Sequence, residues 1–162
     1  RGISIEKVFI PTKAKMDGVS VKNYKIVESR DIAYVPVTSR NGGKITIAQN
    51  VEDAAYLISS AYTSFRCHEA KLLPEYLMLF FTRPEFDRYA RFHSWGSARE
   101  VFSWDDMQEV RIPIPDIKTQ QALANLFTAY NQRKEINERM KAQIKDICPI
   151  LIKGSLEEAS KA

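Results

Sequence analysis

The stretch DIKTQQALANLFTAYNQRKEINERMKAQIKDICPIL, residues 116–151, organises the rest of the chain. Its apolar residues recur at alternating spacings of three and four, which is the pattern of a coiled-coil seam. At ~1.5 Å per residue, a helix over residues 118–148 would be a rod of about 46 Å. A rod of that length needs a second long helix to cover its seam, and the sequence contains no other. We therefore predict a helical arm that pairs with a partner helix.

The predicted seam has two polar positions and one proline beyond it. Its members are Leu123, Leu126, Tyr130, Arg133, Asn137, Met140, Ile144, Ile147 and Leu151. A polar residue in a seam, here Arg133 or Asn137, costs stability but selects register and partner. Because Pro149 has no N–H, we expect the arm to end or kink near Cys148. Residues 116–152 are thus the predicted arm, and residues 153–162 a frayed tail.

The preceding residues, 1–115, are enough for one α/β (α+β) globular domain with a single core. Alternating or β-branched runs predict short strands at residues 3–10, 24–27, 31–37, 44–48, 58–67 and 110–114. The runs 31–37 and 44–48 flank a Gly-Gly loop, which is typical of a hairpin. Pro36 places the first of these strands at an edge or a bulge.

Helices are predicted where proline and capping residues precede apolar runs. Pro74 and Pro84 suit the first positions of two helices. The first is apolar on nearly every side, so we expect it to be buried, and the second presents Phe86, Tyr89 and Phe92 as an apolar face. Ser103 and Asp106 fit a capping box for a third, short helix, and Asp116 caps the arm.

The composition narrows the class of protein but does not identify a binding partner. There are 24 Lys and Arg against 20 Asp and Glu, a net charge of +4 that is compatible with nucleic acid but too small to establish it. Cys67 and Cys148 form no CxxC pattern, which favours reduced thiols and a cytoplasmic location. No apolar run approaches the ~20 residues that span a bilayer, and no signal peptide is evident. The start at Arg1 rather than Met suggests an excised piece or a tag-cleaved product.

Catalytic machinery is not visible in the sequence. It contains no phosphate-binding GxxxxGK[ST], no GxGxxG after a strand, no HExxH and no GxSxG. His68 and His93 have no nucleophile at a familiar spacing, and Asp105 with Asp106 is better explained by the electrostatics of a helix start. We therefore expect a binding module with no catalytic or metal-ligating residues, rather than an enzyme.

Several stretches occur in an order that resembles a known family. They are YKIVESRDIAYVPVTSRNGGKI, SSAYTSFRC, LLPEYLMLFFTRPEFDRYA, a Gly-Ser-x-x-Arg loop, and FSWDDMQEVRIPIPDIKTQQALANLF before a long helix. Together they resemble the specificity subunit of type I restriction-modification enzymes. The most specific part is RIPIPDIKTQQ, where an Ile-Pro-x-Pro run is followed a few residues later by glutamine as the chain enters the helix.

The resemblance implies a function in DNA recognition. Such subunits contain α/β target recognition domains, each reading half of a bipartite site, held apart by long helices in an antiparallel coiled coil. They are not catalytic, and they dock adenine methyltransferase subunits and, through these, motor-endonuclease subunits. S-adenosylmethionine, ATP and Mg²⁺ would accordingly belong to the partners, and this chain would bind no cofactor. One recognition domain and one helix imply pairing with a second copy or with the second half of the subunit.

From the resemblance to specificity subunits, we expect two loops to reach double-stranded DNA. They are the hairpin tip, with Thr38, Ser39, Arg40, Asn41 and Lys44, and the loop at residues 93–99, with Ser97 and Arg99. Arg40 or Arg99 would pair with guanine and Asn41 with adenine, and Lys13, Lys15, Lys44 and Ser97 would contact phosphate. Trp95 would either stack on a base or hold its loop in place. On local sequence alone, a solvated turn is the favoured interpretation of the hairpin tip.

Two rival interpretations stay open at this point. The first is a coiled-coil adaptor that binds protein and never DNA. The second is the recognition domain of a fused restriction-methylation enzyme. A methyltransferase would need a Gly-rich cofactor turn and an Asn/Asp-Pro-Pro-Tyr/Phe motif, which the run AYVPV at residues 33–37 does not match.

Overall fold

The computed structural model describes residues 1–39 and 43–159, with side chains through Lys153. The chain divides into two compact units, Arg1–Leu123 and Ala124–Ala162. The strands in the described part are β1 Gly2–Ile3, β2 Phe9–Ile10, β3 Lys25–Val27, β4 Ile32–Tyr34, β5 Ile47–Gln49, β6 Tyr56–Ile58 and β7 Thr63–Phe65. The helices are α1 Pro74–Phe81, α2 Pro84–Phe92, α3 Trp104–Gln108 and α4 Ile117–Ala159. This mixture of sheet, short helices and a long C-terminal helix is the predicted class.

The first unit is built around β4. This strand pairs antiparallel with β5 on one side and with β7 on the other, so that Ala33 lies opposite both Ala48 and Ser64. The pairing of β4 with β5 confirms the predicted hairpin. Two further antiparallel pairs, β1 with β2 and β3 with β6, complete the strand pairing of the described residues.

Side-chain alternation along β4 supplies two hydrophobic clusters. Ile32 and Tyr34 are fully buried in one cluster, which includes side chains of α1 and α2 such as Phe81 and Phe86. Ala33, between them, points to the opposite face and joins a second cluster with Val27. A strand covered on both faces needs apolar side chains at every position, and that is why β4 is a continuous apolar run.

Two predicted strands differ in the structure. The run 58–67 is divided between β6 and β7 by a turn in which the Tyr62 N–H donates to the Ser59 carbonyl at 3.1 Å. The run 110–114 is not a strand, because Pro113 and Pro115 have no N–H groups to pair. The Pro113 carbonyl instead accepts the Tyr76 hydroxyl at 3.0 Å.

The predicted helix starts are confirmed, but one apolar face and one helix end are not as expected. Pro74 and Pro84 begin α1 and α2, and Ser103 and Asp106 form the capping box of α3. Phe92, expected in the core, is 75% exposed at the end of α2. Helix α4 continues through Pro149 to Ala159, so the first expected alternative, an end near Cys148, is wrong, and the second, a kink there, stays a prediction.

A single glutamine near the start of α4 joins three backbone segments within the first unit. Asp116 caps the helix, and its carboxylate accepts the Thr119 N–H at 3.1 Å. Gln120, one turn later, is fully buried. Its amide oxygen accepts the N–H of Leu73 at 2.9 Å, and its amide nitrogen donates to the carbonyls of Lys71 and Pro115, each at 2.8 Å. The start of α1 and the Pro-rich run are thereby tied to α4.

The second unit is helical from Ala124 through Ala159. Three residues of its predicted seam are exposed: Met140, Ile144 and Ile147 are 54%, 57% and 50% accessible. Within this unit, no second helix covers the described part of the seam. Pairing with another helix remains a prediction.

Candidate nucleic-acid interface

Three short extended segments meet beside α2 and connect the two loops that the sequence singled out. Val101 forms antiparallel bridges with Val37 on one side and with Trp95 on the other. The Phe102 N–H donates to the Pro36 carbonyl at 2.8 Å, so Pro36 lies just beyond β4 and contributes its acceptor. The entry to the β4–β5 connection and the 93–99 loop therefore share one backbone scaffold, although they are far apart in sequence.

Buried hydroxyls reinforce this junction. The Thr38 hydroxyl donates to the Ser94 hydroxyl at 2.9 Å, and Ser94 donates to the Ala90 carbonyl in α2 at 2.6 Å. Both side chains are almost inaccessible, at 3% for Thr38 and 8% for Ser94. Thr38 was expected to be free at the hairpin tip. The structure instead uses its hydroxyl to hold the two loops together.

The 93–99 loop is closed tightly at its base. Trp95 and Val101 exchange two backbone hydrogen bonds, of 3.1 and 2.9 Å. Gly96 has φ +136°, and a Cβ there would collide with the Arg99 carbonyl oxygen, so the turn requires glycine. The loop therefore presents Ser97 and Arg99 as exposed side chains on a constrained backbone.

A buried ion pair fixes the other end of the β4–β5 connection. The Lys7 ammonium donates to an Asp87 carboxylate oxygen at 2.7 Å and to the Phe81 carbonyl at 2.5 Å. The same carboxylate oxygen accepts the backbone N–H of Ile45 at 3.1 Å. The two side chains are only 7% and 12% exposed. The connection is thus anchored to α2 at Thr38 through Ser94 and at Ile45 through Asp87.

The arginines of this region carry more positive charge than their partners neutralise. Arg83 and Arg88 share one carboxylate, Glu85, at 3.3 and 3.4 Å. Arg91 pairs with Glu100. Arg99 makes no side-chain hydrogen bond or ion pair with the described residues. Four arginines thus face two glutamates on α2 and the loop that follows it.

The arginines beside β4 are occupied instead. Arg66 donates to Asp31 at 2.6 Å and also pairs with Glu28, and these bonds raise its pKa above the ordinary value. Arg30 contacts Glu69 and Glu75 at 2.9 and 2.8 Å, and the hydrogen bond to Glu69 is the main cause of its raised pKa. With two carboxylates each, neither guanidinium is available for phosphate.

The other residues predicted to contact DNA lie in different parts of the structure. Ser39 is exposed beside the junction, and Lys44 is half-exposed with its ammonium 3.8 Å from Glu6. Lys13 and Lys15 lie exposed in the connection from β2 to β3. Arg40 and Asn41 fall outside the described residues. The structure therefore joins Thr38, and with it Ser39, to the second loop, and it places Lys44 beside Ile45, whose N–H is bonded to Asp87 of α2. Among the described residues, no hydrogen bond or ion pair links Lys13 or Lys15 to either loop.

Sequence reasoning gave too little weight to the exposed face of α2. Arg88 and Arg91 are spaced three residues apart, which places them on one side of a helix. Phe92 was assigned to the core because an aromatic residue at helical spacing is usually buried. The sequence signal that marks this face is its arginine spacing, continued by Arg99 in the following loop.

Neither a metal site nor a membrane span is found in the described ranges. No group of three or more His, Cys, Asp or Glu side chains there lies close enough to hold an ion. No helix among the same residues is long and apolar enough to cross a bilayer. The features that stand out are the anchored loops and the arginines around them.

Comparison with known proteins gives a match over most of the chain. A sequence model of the family described as "Type I restriction modification DNA specificity domain" matches residues 10–146. The chain is also similar to the protein named "Type I restriction enzyme HindI specificity subunit" of Haemophilus influenzae, with 22% identity over 132 residues. That alignment covers 80% of this chain and 28% of the relative, so the chain spans under a third of that protein's length.

Proposed function

Because this chain belongs to the family of type I restriction modification DNA specificity domains, we propose that it reads one half of a bipartite DNA site. The loops at residues 35–46 and 93–101 would supply the reading surface. Catalysis would lie with partner subunits, and S-adenosylmethionine, ATP and Mg²⁺ would be bound there rather than here. The match of the family model confirms the resemblance found in the sequence. The bipartite site, the reading loops and the partner subunits are part of the proposal.

The observation that carries the proposal is the junction of the two loops. Thr38 and Ser94 are hydrogen-bonded at 2.9 Å, and Val101 bridges both loop backbones. Base recognition needs side chains held in fixed register, because hydrogen bonds to base edges depend on direction. Loops that are mobile relative to each other would lose that register. The junction beside α2 holds the backbones of both loops together and so maintains the register.

Two kinds of contact are expected to act at this surface. Arg88 of α2 is exposed and shares Glu85 with Arg83, so it suits phosphates, which would give salt-dependent affinity without sequence preference. Arg99 lies at the constrained tip of its loop without an ion-pair partner in the described part of the chain. Its planar guanidinium suits a bidentate contact with guanine, worth about 1–3 kcal/mol of discrimination.

The arm would join this recognition domain to the rest of the assembly. Three residues of its seam, Met140, Ile144 and Ile147, are each exposed by 50% or more. We propose that a second copy or the second half of a specificity subunit covers it. The spacing between half-sites would then follow from helix length, and the adenine methyltransferase subunits would dock on the assembled unit.

Selection from a pool of random duplexes tests the proposal directly. Wild-type protein is expected to retain duplex DNA at low salt and to enrich a short sequence. Arg99→Ala is expected to weaken binding to that sequence about tenfold and to relax the preference at one position. Lys71→Ala, an exposed lysine in the turn before α1, is the matched control and should change little.

The same measurement separates this function from a protein adaptor. An adaptor would retain no duplex at any salt concentration, and pairing of the arm would be its only activity. If duplex is bound but Arg99→Ala behaves like Lys71→Ala, DNA binding would stand and the assignment of the loop would be wrong.

A further inference from the structure

The side chain of Trp95 is unusual for a tryptophan in a compact unit. It is 65% exposed, and no ring packs against it within the residues that the structure describes. The other tryptophan, Trp104, packs against Phe65 with a centroid separation of 5.1 Å. A large apolar ring left in water forgoes the favourable free energy of burial. An exposed ring of this kind indicates a contact that is made elsewhere.

The exposed ring does not stand on a mobile loop. Its own backbone exchanges hydrogen bonds of 3.1 and 2.9 Å with Val101. The preceding residue, Ser94, is buried and bonded to both Thr38 and Ala90. The following residue, Gly96, makes the tight turn. Trp95 is therefore held at the point where the two proposed reading loops meet, with only its side chain free.

The surroundings of Trp95 favour nucleic acid as its partner. Phe92, three residues earlier, is 75% exposed and contacts only His93 among the described rings. Arg91 lies on the same helical turn, and Arg99 lies across the tight loop. Exposed aromatic rings near arginines in the sequence suit a polyanion whose bases offer flat apolar faces. The match to a family of DNA specificity domains makes duplex DNA the polyanion expected here.

We propose that the indole of Trp95 stacks on a base at a partly opened step of the bound duplex, acting as a wedge between the two reading loops. This inference rests on the proposed function in DNA recognition. An apolar wedge favours steps that unstack easily, such as pyrimidine–purine steps. Trp95 would thereby contribute sequence preference through the deformability of DNA, at a position where no base edge is hydrogen-bonded.

Fluorescence of Trp95 in a Trp104→Phe background tests the stacking. The phenylalanine keeps a ring against Phe65 and leaves Trp95 as the sole indole. Titration with the selected duplex should quench this emission in parallel with binding, because an indole stacked on a base loses its fluorescence.

Affinity measurements complete the test. Trp95→Ala should weaken binding about tenfold or more and Trp95→Phe should retain most of the affinity, whereas Val51→Ala, which truncates an apolar side chain that is 80% exposed, is the control and should change little. Far-UV circular dichroism should show the same folded spectrum for all variants. Unquenched indole with unchanged affinity of Trp95→Ala would overturn the wedge while leaving DNA recognition intact. Failure of wild-type protein to bind any duplex would overturn the proposed function itself.

Loss of methyltransferase co-purification by Trp95→Ala, with unaltered affinity for DNA, would also overturn the wedge. It would assign the ring to a protein contact instead.

Discussion

Replacing Gln120 by alanine should destabilise the first unit more than any change to an exposed polar side chain. The side chain is fully buried and makes three hydrogen bonds, of 2.9, 2.8 and 2.8 Å, all to backbone groups. The most demanding is the Leu73 N–H, because Leu73 is the N-cap of α1 and has no side-chain cap of its own. Gln120→Ala would leave that donor and two carbonyls without partners.

The expected magnitude follows from the cost of burying unpaired polar groups. Each orphaned group costs about 1–3 kcal/mol, and water entering the vacated space would recover part of it. We expect a loss of about 3 kcal/mol in the free energy of unfolding. For a domain of this size, that corresponds to a fall of roughly 10 °C in Tm. Urea unfolding followed by tryptophan fluorescence and calorimetry measures both quantities.

Two comparison variants sharpen this test. Gln143→Ala removes the same side chain from an exposed position on the same helix and should change stability by less than about 0.5 kcal/mol. Gln120→Glu keeps an acceptor for Leu73 but turns charged oxygens toward the carbonyls of Lys71 and Pro115, so its deficit should shrink as acid protonates the new carboxyl. A stability of Gln120→Ala within 0.5 kcal/mol of wild type would refute the view that this glutamine joins α1 to α4.

Three further predictions concern other parts of the chain. Burial raises the pKa of the Cys67 thiol to about 11, so about one thiol in a thousand is ionised at pH 8. Iodoacetamide should therefore modify the exposed Cys148 first, as measured by peptide mass analysis. Equal rates of modification would contradict the fold around Cys67. The Thr119 hydroxyl and N–H lower the pKa of Asp116 below its usual 3.8. This cap therefore stabilises the folded state above pH 3.8 and loses that contribution as the pH falls through the lower pKa of the folded state. The difference in unfolding free energy between wild type and Asp116→Asn should narrow on acidification, and a constant difference would contradict the prediction. Aspartate at both Ile144 and Ile147 should abolish any self-association seen by sedimentation while circular dichroism still reports a folded first unit, whereas an unchanged assembly would count against the seam.

Local signals in the sequence predicted local structure well. Pro74 and Pro84 mark helix starts because their fixed φ suits the first helical position, and Ser103 with Asp106 marks a third start through reciprocal hydrogen bonds. The failures also have local causes. Ile58 to Cys67 alternates like one strand, yet the turn closed by Tyr62 and Ser59 divides it. Pro149 weakens a helix without necessarily ending it, and α4 continues past it.

The candidate interface was predictable only in part, because its junction is non-local. The loops were recognisable from glycine and polar residues, and the resemblance to a family supplied their order. The hydrogen bond between Thr38 and Ser94 links residues 56 positions apart, and the ion pair between Lys7 and Asp87 links residues 80 positions apart. No periodicity or spacing in the sequence encodes such pairs. They arise because β4 and α2 pack in one core and bring their neighbouring loops together.

The structure shows which arginines are paired with carboxylates, and the amino-acid composition does not. A net charge of +4 treats every arginine alike. Arg66 is bound by two carboxylates, whereas Glu85 is shared by two arginines and Arg99 has no partner in the described part of the chain. Free cations attract phosphate and paired ones do not, since breaking an ion pair costs what the new contact gains. The arginines of α2 and its following loop therefore exceed their carboxylate partners, and a polyanion would be drawn to that face rather than to the surface around β4.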